Sequence, residues 1–224
     1  MRALVQKLPF PAEFAIVLGG AFGYALVTSL IGTFYPPKAP MHSEFGMWRT
    51  VGVEALQFLA IGGFLRLRGW TGQKLGLDSH WTDGAWGVGL ALVSYMAFYA
   101  AFVVIGAVAP GLAASVASGP HMPRALSYAI VAFMVLLSPF FEEFFVTGYV
   151  ITALKEKAGE SIAVNVSVLL RLAYHLYQGV LGVVLLIPVG LVFSYWYART
   201  GKLWPVVVAH AALNTIAFLP YVKF

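Results

Sequence analysis

Residues 125–154 read ALSYAIVAFMVLLSPFFEEFFVTGYVITAL, thirty positions whose only charges, Glu142 and Glu143, stand side by side. At about 1.5 Å per residue, a helix of that length outruns the ~30 Å hydrocarbon core of a bilayer. The stretch predicts a transmembrane helix that keeps two carboxylates at depth, and the fold class follows from it.

The rest of the chain agrees. Of 224 residues, 60% are hydrophobic and 10% charged, against about 45–50% and about 25% in a soluble domain. Besides 125–154, apolar segments long enough to cross a membrane lie near 13–35, 50–66, 85–109, 161–179, 180–198 and 203–222. The run from 161 to 198 is nearly continuous, almost twice the bilayer core in length, so it has to fold back at Gln178–Gly179 or at nearby Gly182. The first segment exceeds the ~7–15 apolar residues of a signal peptide and reads as a retained helix. The expectation is an all-α polytopic transmembrane bundle of about seven helices, one integral membrane domain over residues 1–224, with a polar site in its C-terminal half. No internal repeat or low-complexity tract is visible. Cysteine is absent, which excludes disulfides, a thiolate nucleophile and cysteine metal ligands.

The net charge of +5 would suggest nucleic acid in a soluble protein. Here the cations are scattered over short loops, so no nucleic-acid partner is expected and their positions report topology. Nine of them (Arg2, Lys7, Arg66, Arg68, Lys74, Lys155, Lys157, Arg199, Lys202) fall on one side and four (Lys38, Arg49, Arg124, Lys223) on the other. By the positive-inside rule the N-terminus is cytoplasmic. The expected location is a prokaryotic plasma membrane, with the lipid bilayer as a partner.

The fourteenth cation, Arg171, is intrahelical, and it belongs to one of three polar clusters: Glu142, Glu143 and Thr147; Arg171 and His175; His210 and Asn214. Residues four apart share a helix face, which pairs Glu143 with Thr147, Arg171 with His175, and His210 with Asn214. Glu142 points about 100° away from Glu143, so the two glutamates are expected to have different partners. Counted from the basic ends of their helices, the clusters lie roughly 12 to 21 Å deep, which predicts convergence in the cytoplasmic half of the bilayer. Each charge at the bilayer centre costs about 2.5–3.5 kcal/mol on insertion scales, and intramembrane ionisable groups are functional by default. A glutamate in a poorly solvated site can take a proton from water, a histidine can orient that water, and amide or imidazole donors can stabilise an oxyanion. Together these parts describe hydrolysis of an acyl bond without a serine or cysteine nucleophile.

The segments EEFFVTGY, RLAYHLYQG and ARTGKLWPVVVAHAALN resemble the motifs of the CPBP family, the CAAX-protease and bacteriocin-processing membrane enzymes that include the Ras-converting CAAX endopeptidases. LGL at 75–77 is a fainter likeness. The resemblance implies an intramembrane endopeptidase of the glutamate-dependent kind, with a catalytic core over residues 125–220. It implies Glu142 as general base, His175 orienting the water, His210 and Asn214 as the oxyanion site, and Glu143 in support. The substrate implied is a peptide or protein with a membrane-associated or C-terminal cleavage site. No cofactor is favoured; the alternative is zinc held by Glu142, His175 and His210 with an open fourth position.

The chain departs from the family pattern twice. EExxxR has Thr147 at the arginine position, and FxxxH has Arg171 at the phenylalanine position. The expectation is that Arg171 replaces the missing arginine from the neighbouring helix and pairs with Glu143, since a guanidinium fork suits a carboxylate. A non-catalytic immunity or partner-binding protein on the same scaffold, and a proton or ion carrier, are the alternatives. Glu54 and Gln57 read as interfacial or packing groups, and His42, His80 and His121 as loop residues. Gly19 and Gly23 form a GxxxG that marks close helix packing, and Trp48, Trp70, Trp81 and Trp204 read as interfacial anchors.

Overall fold

A computed structural model describes residues 6–35, 43–112 and 126–222. Arg2, Lys38, His42, His121, Arg124 and Lys223 lie outside the described residues. The helices are α1 (Phe10–Phe34), α2 (Glu44–Leu67), α3 (Asp83–Val108), α4 (Tyr128–Glu142), α5 (Val150–Ala158), α6 (Glu160–Tyr174), α7 (Gly179–Thr200) and α8 (Trp204–Phe218). α4 and α5 form one continuous span, Tyr128–Ala158, joined by a wide π-helical turn at Glu143–Tyr149. Among the described residues there is no β-strand, only an isolated bridge between Leu126 and Val222.

Local signals set the helix ends. Pro11 and Pro205 sit in the first turns of α1 and α8, where a missing N–H costs nothing. Ser43 caps α2 by accepting from the Gly46 N–H at 3.0 Å, and Ser127 caps α4. α7 stops at Gly201, whose φ of +65° no side chain tolerates easily.

Each of the seven apolar segments has a helical counterpart, and among the described residues six helices are long and apolar enough to cross a membrane. The exception is α6, whose 15 residues extend about 22 Å. It ends early because the chain turns through Leu176–Gln178 into Gly179, at φ +79°, one of the positions expected for the fold-back. This turn leans on α1, where the Tyr177 N–H donates to Ser29 Oγ at 2.9 Å.

Span 128–158 is the centre of the bundle. Half of its most apolar window is buried, against 28% or less in the other five spans, whose exposed leucines and valines face outward, where lipid would lie. Phe141, Phe144, Phe145 and Tyr149 pack against Phe22 and Val17 of α1, while Ile151 joins Phe193, Val206 and Ala209 of α7 and α8. Close helix approach occurs one residue away from the expected glycines. Gly19 and Gly23 meet nothing, whereas a Cβ on Gly20 would lie 2.3 Å from Ile61 Cδ1, and one on Gly87 would lie 2.5 Å from Val208. The GxxxG spacing was right for the helix but on the wrong face.

The bundle has a basic end and an opposite end. At the basic end Lys155 reaches the Ala198 carbonyl and Glu160 at 3.2 Å, and the Leu203 N–H donates to the Gly76 carbonyl at 2.9 Å. Glu13 there accepts from Arg68 Nε at 2.5 Å, Trp70 Nε1 at 2.9 Å and Tyr149 OH at 3.1 Å, tying α1 to the π-helical turn before α5 and to the loop after α2. Trp70, like Trp204, whose Nε1 donates to the Leu77 carbonyl, is therefore a stitch between elements as well as a residue near a helix end. Arg49 is the described cation of the minority group and lies toward the opposite end.

Candidate active site

Glu143 is completely buried, and all three of its partners are polar. Its Oε2 accepts from Thr147 Oγ at 2.6 Å and from Arg171 Nη2 at 2.7 Å, and its Oε1 lies 2.6 Å from His210 Nδ1. The expected pairing of Arg171 with Glu143 across the helix interface is present, and Thr147 shares the carboxylate, 3.3 Å from the same guanidinium nitrogen. The ring of Phe193 lies 5.7 Å from the guanidinium carbon. This is how a dry interior holds a carboxylate: several donors and a paired cation offset the loss of water.

Glu142 turns elsewhere. Its Oε2 accepts from Tyr174 OH at 2.6 Å and lies 3.9 Å from Arg171 Nη1. Tyr174 is itself fixed by stacking on Phe22, with ring centroids 5.0 Å apart and planes at 10°. Glu142 and His175 line a cavity of about 470 Å³ between α1, α2, α4 and the turn after α6. His175 Nδ1 lies 2.8 Å from the Arg171 carbonyl. A carbonyl only accepts, so Nδ1 carries the proton and a neutral ring leaves Nε2 as an acceptor.

The structure brings Glu142 and His175 onto one cavity and Glu143, Thr147, Arg171 and His210 into one network. It does not bring His210 and Asn214, the pair expected at the oxyanion, to that cavity. Asn214 Nδ2 donates to the Met134 carbonyl at 3.3 Å, and neither His210 nor Asn214 is among the residues lining the cavity. With Nδ1 donating to Glu143, His210 can donate from Nε2 only as the doubly protonated ring.

The zinc alternative requires Glu142, His175 and His210 around one point. Among the described residues no three His, Cys, Asp or Glu side chains are grouped to hold a metal ion. These donors, as arranged, do not fit a metal.

Two residues of the cavity were missed. Tyr174 stands three positions from Arg171, and that spacing, which puts them on one helix face, was the available signal. Of the two alternatives for Glu54, an interfacial or a packing group, it takes the second: its carboxylate oxygens lie 2.8 and 2.7 Å from Ser138 Oγ of α4, and it also lines the cavity with Gln57. Starting the helix at 50 set Glu54 at a helix end, whereas α2 begins at Glu44, which sinks Glu54 about 15 Å along it.

The cavity lies between the C-terminal half of α1 and the N-terminal half of α2, from Ala21 to Gly32 and from Gly46 to Gln57. That half adjoins the end opposite the basic loops.

Residues 124–216, less than half of the chain but containing every polar cluster, match the family model described as type II CAAX prenyl endopeptidase Rce1-like. Comparison with curated proteins and with solved structures gives no match.

Proposed function

From the premise that residues 124–216 belong to the Rce1-like family of CAAX endopeptidases, we propose that this chain is an intramembrane endopeptidase that hydrolyses a peptide bond with water activated by Glu142 and His175. The observation that carries the proposal is the division of labour between adjacent glutamates: Glu143 is saturated by Thr147, Arg171 and His210, while Glu142, on a cavity, keeps one oxygen free of hydrogen bonds among the described residues.

Tyr174 holds Glu142 Oε2, leaving Oε1 to accept from a water. His175 Nε2 accepts that water's second hydrogen. Glu142 takes the proton as the water oxygen attacks the carbonyl carbon, and it returns the proton to the amide nitrogen as the C–N bond breaks. His210 and Asn214 are proposed to stabilise the oxyanion, His210 through Nε2 of a doubly protonated ring whose Nδ1 stays on Glu143, and Asn214 after turning from the Met134 carbonyl. Arg171 and Glu143 hold this framework. No metal-dependent step is required by this account. The departures at Thr147 and Arg171 do not favour the non-catalytic alternative, because a guanidinium still meets Glu143.

The basic loops support a cytoplasmic N-terminus, and with that orientation the cavity faces the outer half of the membrane. The substrate is a membrane-associated peptide or a protein cut near its C-terminus.

Membrane peptides from cells carrying wild type and Glu142→Ala, compared by mass spectrometry, test the reading. A precursor that accumulates only in the variant is the expected result. No difference across the membrane proteome would leave the scaffold as a binding protein.

A further inference from the structure

Apart from the reaction cavity, the bundle has a groove of about 530 Å³ between α3 and α7, and the two share no lining residue. The start of α3 meets the end of α7, where Asp83 faces Lys202 at 3.8 Å, so the helices run antiparallel and the groove opens at the basic end. Each helix turns one stripe toward it. Trp86, Gly89 and Val93 recur three or four residues apart on α3, and Val192, Trp196 and Arg199 do so on α7; residues at that spacing share a face. Trp86 to Val93 spans about 10 Å of helix, roughly two-thirds of the ~15 Å hydrocarbon depth of one leaflet.

Three features set the groove apart from ordinary lipid-facing surface. It is open at Gly89, where an added Cβ would meet nothing within 4 Å. It is flanked by aromatic rings: Trp86 and Trp196 lie 5.2 Å apart, and among the described residues the buried Trp196 indole N–H has no acceptor. A buried donor left without a partner is costly. The rim is cationic. Arg199 lies over the Tyr195 ring, with 5.5 Å from guanidinium carbon to ring centroid, and it makes no hydrogen bond among the described residues. Its side chain is 72% exposed, and its Nε stands 3.6 Å from Glu160. Lys155 holds Glu160 more closely, at 3.2 Å, and Asp83 has Lys202. Each of these two carboxylates already has a lysine, and the guanidinium is the charge left over.

We propose that this groove binds one anionic phospholipid from the leaflet at the basic end. Its phosphate sits on Arg199, an acyl chain runs over Gly89 between Val93 and Val192, and an ester or phosphate oxygen accepts the Trp196 N–H. A guanidinium offers a phosphate two parallel N–H donors, and basic pockets between transmembrane helices suit acidic headgroups. The sign of the headgroup follows from the rim. The ammonium of a zwitterionic lipid would meet Arg199, and Glu160 and Asp83 are already paired with lysines. Lipid that merely coats the bundle would respond neither to headgroup charge nor to one filled glycine.

Full-length protein in detergent is titrated with phosphatidylglycerol or phosphatidylcholine of identical acyl chains, and bound lipid is counted by native mass spectrometry. One phosphatidylglycerol is expected to bind at least about fivefold more tightly than phosphatidylcholine, the scale of one basic residue against an acidic lipid. Arg199→Gln erases that preference. Gly89→Leu starts in open space, grows into the groove and weakens binding of both lipids. Gly63→Leu, at a glycine outside the groove where a Cβ also meets nothing, leaves binding unchanged. Equal binding of the two lipids, a preference that survives Arg199→Gln, or phosphatidylglycerol binding unaltered by Gly89→Leu overturns the site. A dimer that Gly89→Leu dissolves and added lipid does not also overturns it, by giving the groove to a second copy of the chain.

Discussion

Replacing Arg171 with methionine would leave the fully buried Glu143 without its guanidinium partner, with only Thr147 and His210 in contact. Arg171 and Glu143 have side-chain exposures of 3% and 0%, so no solvent compensates. Breaking a buried pair by removing one partner costs about 3–5 kcal/mol, and at about 2–4 °C per kcal/mol for a chain of this size Tm in detergent falls by about 6–20 °C. The informative step is the second substitution. Thr147 Oγ is within 3.3 Å of the Arg171 guanidinium, so an arginine at 147 enters the space that Arg171→Met vacates and offers the same charge from four residues along. Thr147→Arg with Arg171→Met is expected to recover at least half of the lost stability, a coupling of about 1.5 kcal/mol or more in a double-mutant cycle. Thermal unfolding of the four proteins reads this directly. A loss below about 1 kcal/mol for Arg171→Met, or a double variant no more stable than the single one, would refute the view that one guanidinium near Glu143 is what the site needs.

Three further outcomes follow from named contacts. Glu142→Ala and His175→Ala are each expected to lower kcat/KM at least about 100-fold, the lower range for general acid–base groups, measured on a cleaved peptide; retention of a tenth of the activity would remove them from the chemistry. Tyr174→Phe removes the 2.6 Å hydrogen bond to Glu142 but keeps the ring on Phe22, so kcat/KM should drop about tenfold with little change in Tm. Gly76→Ala should lower Tm sharply, because Gly76 has φ +71° and an added Cβ would fall 1.9 Å from the Gly201 carbonyl oxygen; a Tm within 2 °C of wild type, roughly 1 kcal/mol, would contradict the clasp between the η turn at Gln73–Leu75 and the loop before α8.

The membrane bundle was legible because apolar length is a one-dimensional property, and the fold-back near Gly179 because an uninterrupted helix there would outrun the bilayer. The Arg171–Glu143 contact was legible for a related reason: two departures from a motif cancelled in charge. Depth and direction were harder. Glu54 was set too near a helix end because Met47 and Trp48 lie outside the most apolar stretch yet inside α2, so the helix was begun too late. His210 was assigned to the oxyanion, but a residue's face does not say which of two neighbours it will bond, and Glu143 is the stronger acceptor. The Glu13, Arg68, Trp70 and Tyr149 cluster joins residues up to 136 positions apart, and no local spacing announces it.

The wide turn at Glu143–Tyr149 has a genetic corollary. Such a turn is what a single extra residue leaves inside an α-helix. Losing one codon from Phe144 to Thr147 would let the backbone close into an ordinary α-helix. Everything before the turn would then rotate by about 100° against everything after it. Glu142 would leave the cavity and Glu143 would leave Arg171 and His210, while Tyr149 and Ile151 kept their packing. A library that scans single-residue deletions through the 128–158 span should therefore find a short window where the base and the buried ion pair are lost together.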